Sequence, residues 1–261
     1  VGYFWRMKSV KEVLEFYIKS SIHVAFAVYC LLEITVFSNR LNPINNFSIC
    51  VFLGTVLGYN FLKYFEIFYS RNFRSKTYFA IFGISIFAGI GFLFSFYSLD
   101  FSIQKLILFS GALVLIYPFL RKYGWLKLFL VSFTVTFITV YIPFQNENYS
   151  PIEFYISLTQ RFFLLVSLLI PFEIMDSKSD DKSLNTLPQL FGINSTKLFG
   201  ILLVIPFMIL EFLKLYPSYL VLLIGVATVT FINFTELNRN KYYTSFWVES
   251  VPIFWWLGLI C

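Results

Sequence analysis

Histidine occurs once in this chain and cysteine three times. There is no Cys-x-x-Cys pair and no His/Cys cluster, so nothing points to zinc, haem or an iron–sulfur centre. Charge is scarce as well: only 13% of the residues are Asp, Glu, Lys or Arg. No linker is long enough to separate soluble domains, and no internal repeat marks an inverted-repeat transporter. The N-terminus lacks the small-residue cleavage site of a signal peptide, so its first apolar stretch reads as a retained span. Met7 is a candidate start, with Val1–Arg6 as an upstream extension.

What fills the chain instead is apolar. Hydrophobic residues make up 58%, the mean hydropathy is +0.75, and Phe alone accounts for 35 positions and Tyr for 17. That composition predicts an all-α, polytopic membrane protein, a single integral domain over residues 1–261. A β-barrel would alternate polar and apolar residues at every second position. This chain has continuous apolar runs of about 20 residues, the length that crosses a bilayer core as a helix. Nine spans are expected, at 13–37, 46–69, 77–98, 101–120, 125–143, 153–175, 197–214, 217–234 and 244–260, around a central cavity open towards the cytoplasmic side.

The net charge of +6 does not imply nucleic acid, because the cations sit in short loops where they orient helices. Arg6, Lys8 and Lys11 precede the first span. Arg71, Arg74 and Lys76 follow the second, Arg121, Lys122 and Lys127 the fourth, and Lys178, Lys182 and Lys197 the sixth. The intervening loops are poor in basic residues. The positive-inside rule then places the N-terminus, and the loop after the sixth span, in the cytoplasm, as in a bacterial inner-membrane protein.

That sixth loop holds the main candidate site. Glu173, Asp176 and Asp180 fall at i, i+3 and i+7, which on a helix puts three carboxylates on one face. Charged groups at the edge of hydrocarbon are costly, so such a cluster is read first as functional. Three convergent carboxylates suit a divalent metal or a cationic ligand; the bland alternative is a solvated, helix-ending charge run.

A second polar group lies on the second span. Asn60, Lys63 and Tyr64 share a face, and Lys63 is spaced either to pair with Glu66 or to snorkel to the headgroups. Arg71 and Arg74 follow and suit an anionic diphosphate or lipid headgroup. Both groups reach the same side of the membrane by topology. Together they would line one cavity for an amphiphile with an anionic head and a hydrocarbon tail.

Elsewhere, Arg161 lies about 22 Å along the helix from Asp176 and is expected to snorkel or to pair with Glu153 or Glu33. Lys19 and His23 share a face, with His23 either a base or a satisfied core residue. Cys30 and Cys50 are either a disulfide or two buried thiols.

The segment Glu173-x-x-Asp176-x-x-x-Asp180, followed by Asn185–Thr186–Leu187–Pro188 and Leu190–Phe191–Gly192, resembles the second Asp-rich motif of the UbiA-type intramembrane prenyltransferase superfamily. The resemblance implies Mg²⁺ held by Glu173, Asp176 and Asp180 and an isoprenoid diphosphate as donor. It also implies transfer of the prenyl chain to an aromatic or quinoid acceptor, with membrane lipid around the site. Asp176, Asp180 and Lys63 would be catalytic, and Asn60, Tyr64, Arg71, Arg74 and Lys182 would bind substrate. The family's first motif reads Asn-Asp-x-x-Asp-x-x-x-Asp. This chain keeps Asn60 but has Phe61, Tyr64 and Phe68 where the aspartates belong. Lys63 would then replace one metal with a fixed cation. A terpene-cyclase-like reaction and a non-catalytic lipid-binding relative are the alternatives.

Overall fold

Away from water, a continuous apolar chain satisfies its backbone N–H and C=O groups only within helices or a closed barrel. This chain is all-helical, with no strand among the described residues. The computed structural model describes the backbone of residues 2–44, 46–69, 76–120, 123–145, 149–181 and 184–261, and side chains from residue 11 onward apart from 65–69 and 76. In chain order the helices are α1 (Gly2–Lys19), α2 (Ile22–Ser38), α3 (Phe47–Tyr69), α4 (Lys76–Tyr97), α5 (Phe101–Leu120), α6 (Gly124–Thr136), α7 (Ile142–Phe144), α8 (Pro151–Asp176), α9 (Leu187–Phe191), α10 (Ile193–Glu211), α11 (Leu220–Asn233) and α12 (Val251–Ile260). A π-helical turn, Phe137–Tyr141, joins α6 to α7, and another, Tyr243–Val248, precedes α12.

Six stretches among the described residues are long and apolar enough to cross a membrane, or seven if the bent pair α1–α2 is one span. The expected nine are therefore not all present as long apolar helices. The first expected span breaks by 63° at Ser20–Ser21, where Ser21 takes a φ of 61°. The 217–234 stretch yields the 14-residue α11, short of the roughly 20 residues that a bilayer core asks for. The last expected span, 244–260, opens as the second π-helical turn.

The break at Ser20–Ser21 also undoes the shared face expected of Lys19 and His23. Lys19 pairs with Glu15 at 3.0 Å. His23 is buried, 3.1 Å from the Tyr17 hydroxyl and 3.0 Å from the Phe246 carbonyl, and it stacks on the Phe246 ring. It is a satisfied core residue. Cys30 and Cys50 are buried free thiols.

Helix α8 is the hub of the largest core cluster, which draws Leu164, Val166 and Ile170 together with Val204, Phe207, Ile224, Ile232 and Trp255. Between membrane helices the lipid tails are as apolar as leucine, so close packing and hydrogen bonds have to hold the pair. Both occur where α8 meets α10. A Cβ added to Gly200 would stand 2.9 Å from Ile170, so only glycine allows this approach. Ser167 Oγ donates to the Gly200 carbonyl at 3.0 Å.

Among the described residues, no acid forms an ion pair with Arg161. Its guanidinium is buried, donates to the Leu31 carbonyl, Thr35 Oγ1 and Thr139 Oγ1, and lies over the Trp255 ring. The first π-helical turn carries Thr139, so this one side chain ties α2, α8, α12 and that turn together. Glu153, one of the two partners expected for it, accepts instead from the Leu215 N–H. A buried ion pair, Lys214 with Glu211 at 2.9 Å, closes the end of α10. Gln160 of α8 donates to the same Glu211 carboxylate at 2.8 Å.

Candidate functional site

The acidic segment begins inside α8 and leaves it. The helix ends at Asp176, and a turn follows in which the Asp180 N–H donates to the Asp176 carbonyl at 2.9 Å. The chain then folds back to α9. Gln189 accepts from the Thr186 N–H at 3.1 Å and donates to the Asp181 carbonyl at 3.2 Å. Gly192, at a φ of 80°, ends the helix. Gly124, at the start of α6, lies so close beneath this loop that an added Cβ would stand 2.5 Å from the Leu184 carbonyl oxygen. The Thr186–Gly192 stretch thus acts as a clasp that returns the acidic loop onto α6.

The clasp places Lys127, one turn into α6, among the acids. Its Nζ lies 3.0 Å from Glu173 Oε1 and 3.4 Å from Asp180 Oδ2. Lys127 is 8% exposed and Glu173 5%. The second Glu173 oxygen, Oε2, is buried without a hydrogen-bond partner. Asp176 lines a chamber of about 210 Å³, with Glu173, Lys127, Tyr59, Tyr117 and Glu249 among its walls. The carboxylates expected on one face therefore divide: Glu173 and Asp180 meet on Lys127, while Glu173 and Asp176 face the chamber.

Glu249 and Lys127 are functional candidates that the sequence reading passed over. Glu249 follows the second π-helical turn, its N–H donating to the Thr244 carbonyl at 3.2 Å. Such turns often mark functional positions. The carboxylate lies within electrostatic range of Lys63 on α3 and of Tyr59. Glu249 carried a legible signal, an isolated charge beside a long apolar run, and such a charge calls for a partner or a ligand.

The residues expected on α3 scatter. Asn60 is wholly buried and donates from Nδ2 to Ser85 Oγ on α4 at 3.1 Å. The Tyr64 hydroxyl donates to the Lys19 carbonyl at 2.8 Å, and its ring meets Tyr78 edge-on. Lys63 is exposed and is not part of the charged chamber's wall. Arg71, Arg74 and Lys182 lie outside the described residues, as does the side chain of Glu66.

A larger chamber of about 620 Å³ adjoins the charged one. The two share Val28, Tyr59, Tyr117, Val131 and Val135 as walls. The larger is almost purely apolar, bounded by α3, α5, α6 and Phe92 of α4. Its size falls within the roughly 300–1,000 Å³ of small-molecule sites. Leu108 and Leu115 of α5 line it and are each more than half exposed, so this wall borders the outside of the bundle.

Three acidic side chains and one lysine line the smaller chamber, a set with more oxygen donors than cations. As it stands, Lys127 already holds the Glu173 and Asp180 oxygens that a metal bridging those two would use. Among the described residues, no three acidic, His or Cys groups converge as a cage. Mg²⁺ needs less than a cage: it keeps several waters and takes one or two carboxylates together with substrate phosphates. The orphaned Glu173 Oε2 and the chamber-facing Asp176 fit that smaller demand.

Comparison with family models, with curated proteins and with solved structures finds no match to this chain.

Proposed function

We propose that this chain is an intramembrane isoprenoid-diphosphate enzyme that transfers a prenyl chain to an aromatic or quinoid acceptor with Mg²⁺ assistance. The observation that carries the reading is the pair of adjoining chambers, one lined by charged groups and one apolar, with Tyr59 and Tyr117 lining both. A diphosphate head suits the first and a hydrocarbon tail the second. The likeness of the 173–192 segment to the UbiA-type motif supports the same reading, as does the placement of its residues at the charged chamber.

In this proposal Glu173 and Asp176 would hold Mg²⁺, which would supply positive charge to offset the charge of a departing diphosphate. Lys127 fixes the Glu173 carboxylate and supplies a resident positive charge beside the head. Lys63, exposed on α3 outside the chamber wall and within electrostatic range of Glu249, would meet a diphosphate only at the chamber's edge. The rings of Tyr59 and Tyr117 flank the allylic carbons, where aromatic faces steady a developing cation. The site would face the cytoplasm of a bacterial cell, as the loop charges suggest.

A second reading, a lipid-binding protein without catalysis, is favoured by one specific feature. Lys127 already neutralises two of the acids, and α3 offers Phe61, Tyr64 and Phe68 in place of a second acidic arm. Purified protein incubated with Mg²⁺ and geranyl, farnesyl or geranylgeranyl diphosphate separates the two. Prenyl transfer predicts diphosphate release that requires a quinoid acceptor, and cyclisation predicts release without one. Tight binding with no release under either condition would leave only the lipid-binding reading.

A further inference from the structure

The three carboxylates that line the charged chamber differ in what holds them. Glu173 is bound by Lys127 at 3.0 Å, and Asp176 stands one turn further along the same helix. Glu249 comes from another element, just after the second π-helical turn, with Val248 and Pro252 beside it in the wall. Among the described residues its carboxylate forms no hydrogen bond and no ion pair, and Lys63 acts on it only from longer range. A partly buried carboxylate without a partner is held at a cost in free energy.

The backbone around Glu249 is pinned. His23 Nε2 lies 3.0 Å from the Phe246 carbonyl and 3.3 Å from Ser250 Oγ. The Ser250 N–H and hydroxyl both donate to that same carbonyl, at 2.9 and 2.6 Å. Glu249 sits between these anchored residues, its N–H reaching back to the Thr244 carbonyl. That bond adds one residue to the turn, and one residue is worth about 100° of helical phase. Phe246 and Ser250 thus meet His23, while Glu249 lines the chamber. It also acts on Tyr59 more strongly than Asp176 does, and Tyr59 lines both chambers. Glu249 therefore belongs to the side of the charged chamber that borders the apolar one.

We infer that Glu249 is the catalytic base that takes the proton from the prenyl acceptor. This rests on the prenyl-transfer reading above. In that reaction the bond from the first prenyl carbon to the diphosphate oxygen breaks, and its electron pair leaves with the diphosphate. A ring carbon of the acceptor supplies the pair for the new carbon–carbon bond. The hydrogen on that ring carbon then leaves as a proton, and its bonding pair restores the aromatic ring. Glu173 is engaged by Lys127, and Asp176 is assigned above to the diphosphate side. Glu249 receives the proton and becomes a carboxylic acid, which returns it to water.

The test uses the full chain in detergent or nanodiscs with Mg²⁺, dihydroxynaphthalene as acceptor, and geranyl diphosphate labelled with heavy oxygen at the bridging position. Movement of the label into non-bridging positions reads ionisation of the donor, which precedes proton loss. Glu249→Gln keeps the size of the side chain and removes the base. It is expected to lower prenyl transfer about 100-fold or more, with donor binding within about twofold and label movement retained. The double variant Glu249→Gln/Lys63→Met is expected to stay as impaired as the single one. The base is overturned if Glu249→Gln transfers as the unaltered protein does, or if it loses donor binding or label movement along with transfer. It is equally overturned if the double variant recovers transfer, since Glu249 would then be only a counter-charge for Lys63. Should the unaltered protein neither bind the donor nor release diphosphate, the prenyl-transfer reading itself fails and takes the base with it.

Discussion

Lys127→Met is expected to cost about 3–5 kcal/mol of stability, the usual consequence of removing one partner from a buried ion pair. The Glu173 and Asp180 side chains are 6% and 9% exposed, and the Lys127 ammonium lies against both. Without it Glu173 loses the partner of Oε1, and Oε2 already has none. A lone carboxylate at that depth pays its desolvation with nothing in return. Thermal unfolding in detergent, followed by circular dichroism, reads the loss. The double variant Lys127→Met/Glu173→Leu should recover at least half of it, because an apolar pair of similar volume often replaces a buried ion pair at little cost. A single variant that melts within the scatter of the unaltered protein would show that the pair carries no such weight.

Asp176→Asn should have the largest effect on chemistry. Asp176 faces the chamber, whereas Asp180 sits beyond Lys127 in the turn. If Asp176 helps hold the cation that meets the diphosphate, removing its charge should lower Mg²⁺-dependent diphosphate release by about 100-fold or more. Its melting temperature should stay near that of the unaltered protein. Asp180→Asn should act chiefly by loosening Lys127 and lose far less activity. The reverse order, with Asp180→Asn inactive and Asp176→Asn unimpaired, would place the reacting head on the wrong side of Lys127.

The helical class was legible because apolar length leaves few alternatives, and α3, α4, α5, α8 and α10 lie close to their expected bounds. The break at Ser20–Ser21 was hidden because nothing in two serines between apolar stretches announces a left-handed residue. Periodicity likewise carried no sign of the π-helical turns, which add one residue to a turn without changing composition. At the site, the acidic residues were legible as isolated charges in an apolar setting, but their partner was not. Lys127 lies 46 residues before Glu173 in the chain and reads, by position alone, as one more loop cation orienting a helix. Only the clasp over Gly124 brings the two together. Asn60 shows the converse. Its helical phase matches the motif it resembles, yet packing of α3 on α4 gives its amide to Ser85.

The central claim is that one amphiphile spans both chambers. A farnesyl diphosphate analogue with a photoreactive group at the end of its tail tests this directly, with labelled residues located by mass spectrometry. The account predicts Mg²⁺-dependent labelling of the apolar chamber's wall at Thr55, Phe92 or Val114, suppressed by excess farnesyl diphosphate. Labelling spread over outward-facing residues such as Phe87 and Phe94, each 82% exposed, and unaffected by competitor would contradict it.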